Sequence, residues 1–142
     1  MAKDTDREIV QHIDKEFASL IKSLKDLARS VPPDFPYQHI LRSAAVIEQM
    51  CGGLTANLWD DPFEWTLPET LATPDLIVEH LSEVDALRER FFASLDGDDA
   101  LRKYVAVPSG EPRSLIELLT ETLVRASDFH KKAQKIQKQA II

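Results

Sequence analysis

Histidines are the residues of this sequence best suited to chemistry near neutral pH, and three of the four are candidates for the interior of the fold. His39 occurs in FPYQHILRS, His80 in LIVEHLSEV and His130 in VRASDFHKKAQ. Imidazole exchanges protons near neutral pH and is a common metal ligand. Zinc normally requires three or more protein ligands, so these three side chains would have to converge from separate segments. The alternative is a histidine without a ligand role: we expect His39 at the helix surface or edge and His80 satisfied at the boundary of the core, while His130 is either a pocket residue or a packed core histidine.

Ser43 and Cys51 are candidate nucleophiles. A catalytic serine needs a base and a group that orients that base, yet Asp128 is two positions from His130 and therefore lies on another helical face. We expect Ser43 to bond instead to a carbonyl of its own helix or to His130. Cys51 comes late in its segment and has no CxxC spacing, so we interpret it as a small buried hydrophobe.

Four amphipathic segments must position these side chains. Apolar residues recur every three or four positions in each segment, which is the period of an α-helix. The expected helices cover about 5–30, 36–54, 74–95 and 114–138. They predict an all-α fold, a four-helix bundle in a single domain over residues 1–142. One charged residue, Arg88, falls within the apolar stripe of the third segment.

Polar residues mark where these helices begin. Thr5 and Ser114 each precede a glutamate by three positions, the pattern of a capping box. Thr73 precedes a proline and an aspartate, which suits a helix N-terminus. The mixed stretch KYVAV, at 103–107, is either a short strand or an extended loop.

The connection between helices two and three is about twenty residues long. This length predicts a path along the bundle, an up-up-down-down-like order rather than a simple up-down order. Trp59 and Trp65 lie in this connection and either line a ligand pocket, form a dimer contact or cap the core. The acidic residues between them are interpreted as solvated loop charges.

Composition excludes several classes of partner. The net charge is −7, so the overall field repels nucleic acid. The run of lysines from Lys131 to Lys138 is interpreted as a solvated face favoured by the helix dipole. No apolar run reaches the roughly 20 residues of a membrane helix, and the N-terminus has no apolar signal region. With a single cysteine, these features lead us to expect a cytoplasmic protein without nucleic-acid or membrane partners.

Three stretches resemble the DinB-like superfamily over most of the chain. They are FPYQHILRSAAVIE at 35–48, LIVEHLSEVDALRERFFASL at 76–95 and SLIELLTETLVRASDFHKKAQ at 114–134. The resemblance implies a four-helix bundle, commonly a homodimer, with three histidines that bind a divalent metal. It also implies metal-dependent hydrolase or thiol S-transferase chemistry.

The family's three ligand positions correspond here to Ser43, Ala126 and His130. Only the last keeps an imidazole, so we predict a degenerate metal site, no cofactor and no enzymatic activity. The expected function is that of a small-molecule-binding or interaction module with a pocket at these positions. The alternative is an enzyme that binds zinc or nickel at a rebuilt site formed by His39, His80 and His130.

Overall fold

A computed structural model of the chain describes residues 4–32, 35–56, 73–107 and 110–140. Within these ranges there are four α-helices, two short 3-10 helices and two short strands. The helices are α1 (Glu8–Ser30), α2 (Gln38–Ala56), α3 (Pro74–Ala93) and α4 (Leu115–Ala140). The 3-10 helices are Asp4–Arg7 and Asp98–Arg102. The all-α prediction is confirmed, and none of the described helices has the length and apolarity needed to cross a membrane.

The strands form a small ribbon beside the start of α4. β1 (Tyr104–Val105) pairs antiparallel with β2 (Arg113–Ser114), with Tyr104 opposite Ser114. The mixed stretch at 103–107 is therefore a strand at its centre. The ribbon leads directly into α4, whose first amide, that of Leu115, donates to the Lys103 carbonyl at 2.8 Å.

Contacts between helices fix their directions. Arg88, near the end of α3, pairs with Asp14, near the start of α1, so these two helices are antiparallel. Ser30, the last residue of α1, accepts a bond from Gln137 near the end of α4, so α1 and α4 are parallel.

α2 and α3 run parallel to each other, because two contacts between them occur in the same order along both helices. Glu48 of α2 contacts His80 of α3, and further along both helices Leu54 and Phe91 line the same cavity. The order is therefore up-down-down-up. The end of α2 and the start of α3 therefore lie at opposite ends of the bundle, and the expected up-up-down-down-like order is wrong, because the parallel neighbours are α2 and α3. The connection between them lies outside the described residues.

One apolar core joins the four helices. Its largest completely buried side chains come from all of them: Phe17, Ile21 and Leu24 from α1, Ile40 and Ile47 from α2, Ile77, Leu81 and Phe92 from α3, and Leu119 from α4. Phe17 and Phe92 pack with ring centroids 5.7 Å apart, which joins α1 to α3. Burial of side chains of this size contributes about 1.5–3 kcal/mol each.

Two of the three predicted helix caps are confirmed. Thr73 Oγ1 accepts from the Leu76 amide, and Ser114 Oγ accepts from the Glu117 amide, each at 3.3 Å. The segment expected to be helical from about residue 5 starts as the 3-10 helix Asp4–Arg7 and continues as α1 from Glu8, and Arg7, the residue before α1, forms no side-chain cap.

A carboxylate from elsewhere in the fold caps α1 instead. Asp98 accepts hydrogen bonds from the amides of Ile9 and Val10, at 3.2 and 3.0 Å. In return, Arg7 donates to the carbonyls of Leu95 at 2.7 Å and Phe92 at 3.3 Å at the end of α3. The start of α1 and the end of α3 therefore satisfy each other's free backbone groups.

Replacing Asp98 with alanine is expected to lower the free energy of unfolding by about 1–2 kcal/mol, because two helix amides lose their acceptor. Urea unfolding followed by circular dichroism measures the change. Asp99→Ala, an exposed neighbour, is the matched control and should change stability by less than about 0.5 kcal/mol. Equal losses in the two variants would show that the cap does not stabilise α1.

Candidate functional site

Two of the three family ligand positions meet directly in the interface between α2 and α4. Ser43 Oγ donates to the Ala126 carbonyl at 2.7 Å, and neither residue is exposed to solvent. Small side chains at both positions allow the helices to approach closely. Neither bond expected for Ser43 is found, because the carbonyl that accepts from it belongs to the facing helix and not to its own helix or to His130.

His130 lies one turn after Ala126 on α4 and is partly buried. Its Nε2 is shielded from solvent and has no hydrogen-bond partner among the described residues. Burial lowers the pKa of His130 below the ordinary value of 6.5. The imidazole is therefore neutral at pH 7, because desolvation penalises the charged form.

His39 lies in the same interface and stacks on Phe129. The two rings are nearly parallel, at 19°, with centroids 6.4 Å apart, and the Lys132 ammonium is 5.2 Å from the Phe129 centroid. Burial lowers the pKa of His39, and the charges of Arg42 and Lys132 lower it further. His39 is therefore also neutral at pH 7, beside a face of α4 whose lysines are exposed, as the sequence predicted.

His80 lies in a different interface, between α2 and α3. Its Nε2 is 3.1 Å from a Glu48 oxygen and its Nδ1 is 3.7 Å from a Glu83 oxygen. The short contact with Glu48 is a charge contact and not a well-aligned hydrogen bond. Burial alone would lower the pKa of His80, but the two carboxylates outweigh it and raise that pKa.

The structure does not bring the three histidines of the alternative metal site together as one set of ligands. His39 and His130 belong to the interface of α2 with α4, whereas His80 is held by carboxylates between α2 and α3. Across the described ranges, no three histidine, cysteine, aspartate or glutamate side chains form a group that could hold a metal ion. The donor set present therefore does not match what zinc or nickel requires.

Cys51 is completely buried in the core. Burial raises the pKa of its thiol to about 12, Arg88 opposes this effect and Glu48 adds to it. The fraction of thiolate at pH 7 is negligible, so the thiol is a poor nucleophile. The interpretation of Cys51 as a small buried hydrophobe is confirmed.

A cavity that the sequence did not predict lies at the end of the bundle where α2 and α3 finish. It has a volume of about 280 Å³. Its apolar walls come from five residues, Leu54, Phe91, Leu95, Val105 and Leu115, and its mouth carries Ser94, Asp96, Lys103 and Tyr104. The weak strand signal at 103–107 was the one indication that this end of the bundle differs from a plain helical turn.

Trp59 and Trp65, the predicted pocket aromatics, lie outside the described residues, and their role stays a prediction. Comparison of the chain with protein-family models, with curated proteins and with solved structures finds no match. No family is assigned by these comparisons, so the described residues define the chain only as a helical bundle.

Proposed function

We propose that this chain is a DinB-like bundle without metal chemistry, a small-molecule-binding or interaction module of the cytoplasm and not an enzyme. The observation that carries the proposal is the direct contact between Ser43 and Ala126. The positions that would hold two of the family's three metal ligands are packed against each other, and the serine hydroxyl is already used in a bond between the helices.

The chemistry of the donors supports the same proposal. An aliphatic side chain offers no ligand at 126, and a neutral serine hydroxyl is a weak one. His130 alone would supply one imidazole nitrogen, short of the three protein ligands that zinc sites normally use. Hydrolase or thiol S-transferase chemistry would require the metal to lower the pKa of a bound water or thiol, and no set of donors within the described residues supports that step.

Metal analysis tests the proposal directly. The protein, purified without a histidine tag and equilibrated with zinc or nickel, is expected to retain much less than one ion per chain after dialysis. Stoichiometric metal that is lost in His130→Ala would contradict the proposal. The same measurement on His12→Ala, a change at an exposed histidine of α1, is the matched control.

Restoring the missing imidazoles tests the resemblance to the family. The double variant Ser43→His, Ala126→His should be destabilised without metal, because each added ring overpacks a closed interface at a cost of about 1–3 kcal/mol. Zinc should then raise its melting temperature, since the ion binds the folded state. A folded double variant that neither binds zinc nor gains stability from it would argue against a family-like site at these positions.

We also propose that the chain forms a homodimer, as the resemblance implies. The exposed face of α4 offers a contact of this kind, because Val124 is 55% exposed and lines a shallow cleft with Ile116, bordered by the ion-paired Arg113, Glu117 and Glu121. Sedimentation velocity at several protein concentrations measures the mass of the species in solution. A monomer at every concentration would contradict this part of the proposal.

A further inference from the structure

The cavity at the end of α2 and α3 combines an apolar interior with two opposite charges at its mouth. Leu54, Phe91 and Leu115 come from three different helices, so the walls are parts of the packed bundle and not of one loop. Ligand pockets in proteins typically have volumes of about 300–1,000 Å³, and a cavity of 280 Å³ is at the lower limit of that range. Its size therefore selects a small ligand with one branched or cyclic apolar group.

The charges at the mouth are Asp96 and Lys103. Neither side chain forms an ion pair or hydrogen bond with any of the described residues. Both charges are therefore available to a ligand without the loss of an existing contact.

The backbone holds both charged residues in place. The Lys103 amide donates to the Ala100 carbonyl at 3.2 Å, and the Lys103 carbonyl accepts from Leu115 at 2.8 Å. Asp96 follows Leu95, whose carbonyl is bound by Arg7 at 2.7 Å. A ligand would therefore have to order the two exposed side chains but not the backbone that carries them.

We propose that this cavity binds a small zwitterion with an apolar side chain, of which an apolar α-amino acid is the simplest example. The ligand ammonium pairs with Asp96, the ligand carboxylate pairs with Lys103, and the apolar group fills the space between Leu54, Phe91 and Leu115. A zwitterion matches both charges of the mouth, whereas an apolar acid or an apolar amine leaves one of them unpaired.

The surroundings make the two charged contacts unequal. Asp96 and Lys103 also border a neighbouring cleft lined by Asp6, Asp98 and Asp99, so carboxylates outnumber ammonium groups at this junction. The net charge of −7 likewise favours the binding of a cation over that of an anion. The ammonium of the ligand should therefore contribute more to affinity than its carboxylate.

This inference rests on the proposed function, because it names the ligand class and the site of the small-molecule-binding module. The site is separate from Ser43, Ala126 and His130, so the two can fail independently. Metal bound at His130 would contradict the proposed function, and the ligand titrations below test the cavity separately, whatever the metal content is.

Four probes separate the parts of the ligand: L-leucine, 3-methylbutylamine without the carboxylate, 4-methylpentanoate without the ammonium, and glycine without the side chain. Saturation-transfer NMR and calorimetric titration of the full chain measure binding. L-leucine should bind with a Kd of about 1 mM or tighter. The amine should bind more weakly than L-leucine, the acid more weakly still, and glycine should not bind.

Charge-neutral variants assign the two contacts. Asp96→Asn should weaken L-leucine and the amine about tenfold and leave the acid unchanged, while Lys103→Gln should weaken L-leucine and the acid and leave the amine unchanged. Val105→Trp should remove binding of all three apolar probes by filling the cavity. Arg102→Gln, an exposed neighbour that does not line the cavity, is the matched control and should bind as the wild type does. Circular dichroism confirms that each variant folds.

Three results would overturn the inference. They are equal binding of glycine and L-leucine, no binding of L-leucine by the folded wild type at about 10 mM, and a loss in Arg102→Gln as large as in the two charge variants. If Val105→Trp does not fold, the two charge variants still decide the question, because they change exposed side chains and leave the walls intact.

Discussion

Replacing Arg88 with alanine is expected to lower the free energy of unfolding by about 2–4 kcal/mol. The guanidinium is only 9% exposed, bonds to Asp85 at 2.8 Å on its own helix and pairs with Asp14 across the interface with α1. Breaking a fully buried ion pair costs about 3–5 kcal/mol. Both carboxylates are 33% exposed, so water compensates part of the loss, while the aliphatic stem of the arginine also leaves the core.

Chemical unfolding at pH 7 measures this effect, with Arg90→Ala as the matched control on the same helix. Arg90 is exposed and should contribute less than about 0.5 kcal/mol. Arg88→Met, which keeps most of the stem, separates packing from charge. If Arg88→Ala and Arg90→Ala cost the same, the ion pair between α1 and α3 does not stabilise the bundle.

Replacing His80 with glutamine is expected to destabilise the protein in mild acid and to have little effect in mild base. Both ring nitrogens face carboxylates, those of Glu48 and Glu83, and the pKa of His80 is raised in the folded state. The protonated ring therefore stabilises the contact between α2 and α3. We expect a loss of about 1–2 kcal/mol near pH 6, because a charge contact between two largely buried groups is worth more than an exposed ion pair and less than a fully buried one.

The direction of the pH dependence follows from linkage. A group whose pKa is raised on folding contributes its full stabilisation below its unfolded value of 6.5, and this contribution disappears as the pH rises through the folded value. Urea unfolding of wild type and His80→Gln at about pH 6 and about pH 9 should show a difference that shrinks as the pH rises. A difference that is constant with pH would show that His80 acts by packing alone.

His130 is the matched comparison, since its pKa is lowered and not raised. Burial favours its neutral form, so the folded state loses stability as the pH falls below 6.5. His130→Gln should therefore reduce the acid sensitivity of the protein, which is the opposite of the His80 effect. The same residue type thus stabilises one interface of α2 when protonated and the other interface when neutral.

The helices themselves were predictable, because their signals are local. The 3.6-residue period and the polar residues at Thr73 and Ser114 are encoded within a few positions, and both caps are found as expected. The cap of α1 was not predictable, because Asp98 is 89 and 88 residues away from the two amides that donate to it. Local pattern cannot identify an acceptor that tertiary packing supplies.

The partners of the candidate site residues were less predictable for the same reason. Arg88 falls within the apolar stripe of its helix, but its pairing with Asp14 depends on the antiparallel packing of α1 and α3. The carboxylates around His80 and the carbonyl that binds Ser43 likewise belong to facing helices. The cavity arises where α2 and α3 end, α4 begins and β1 passes beside them, an arrangement that no single segment encodes.

Because α1 and α4 run in the same direction, residues 8 and 140 lie at opposite ends of the bundle. α4 has 26 residues, which at 1.5 Å per residue gives an axial length of about 39 Å. A peptide that joined these two positions in a circular permutant would have to run the length of the domain, about a dozen extended residues at 3.3 Å each. In a tandem fusion, the end of α4 in one copy would lie beside the start of α1 in the next, so the copies would be arranged end to end. The distance between the same residue in two successive copies would then measure the length of one bundle.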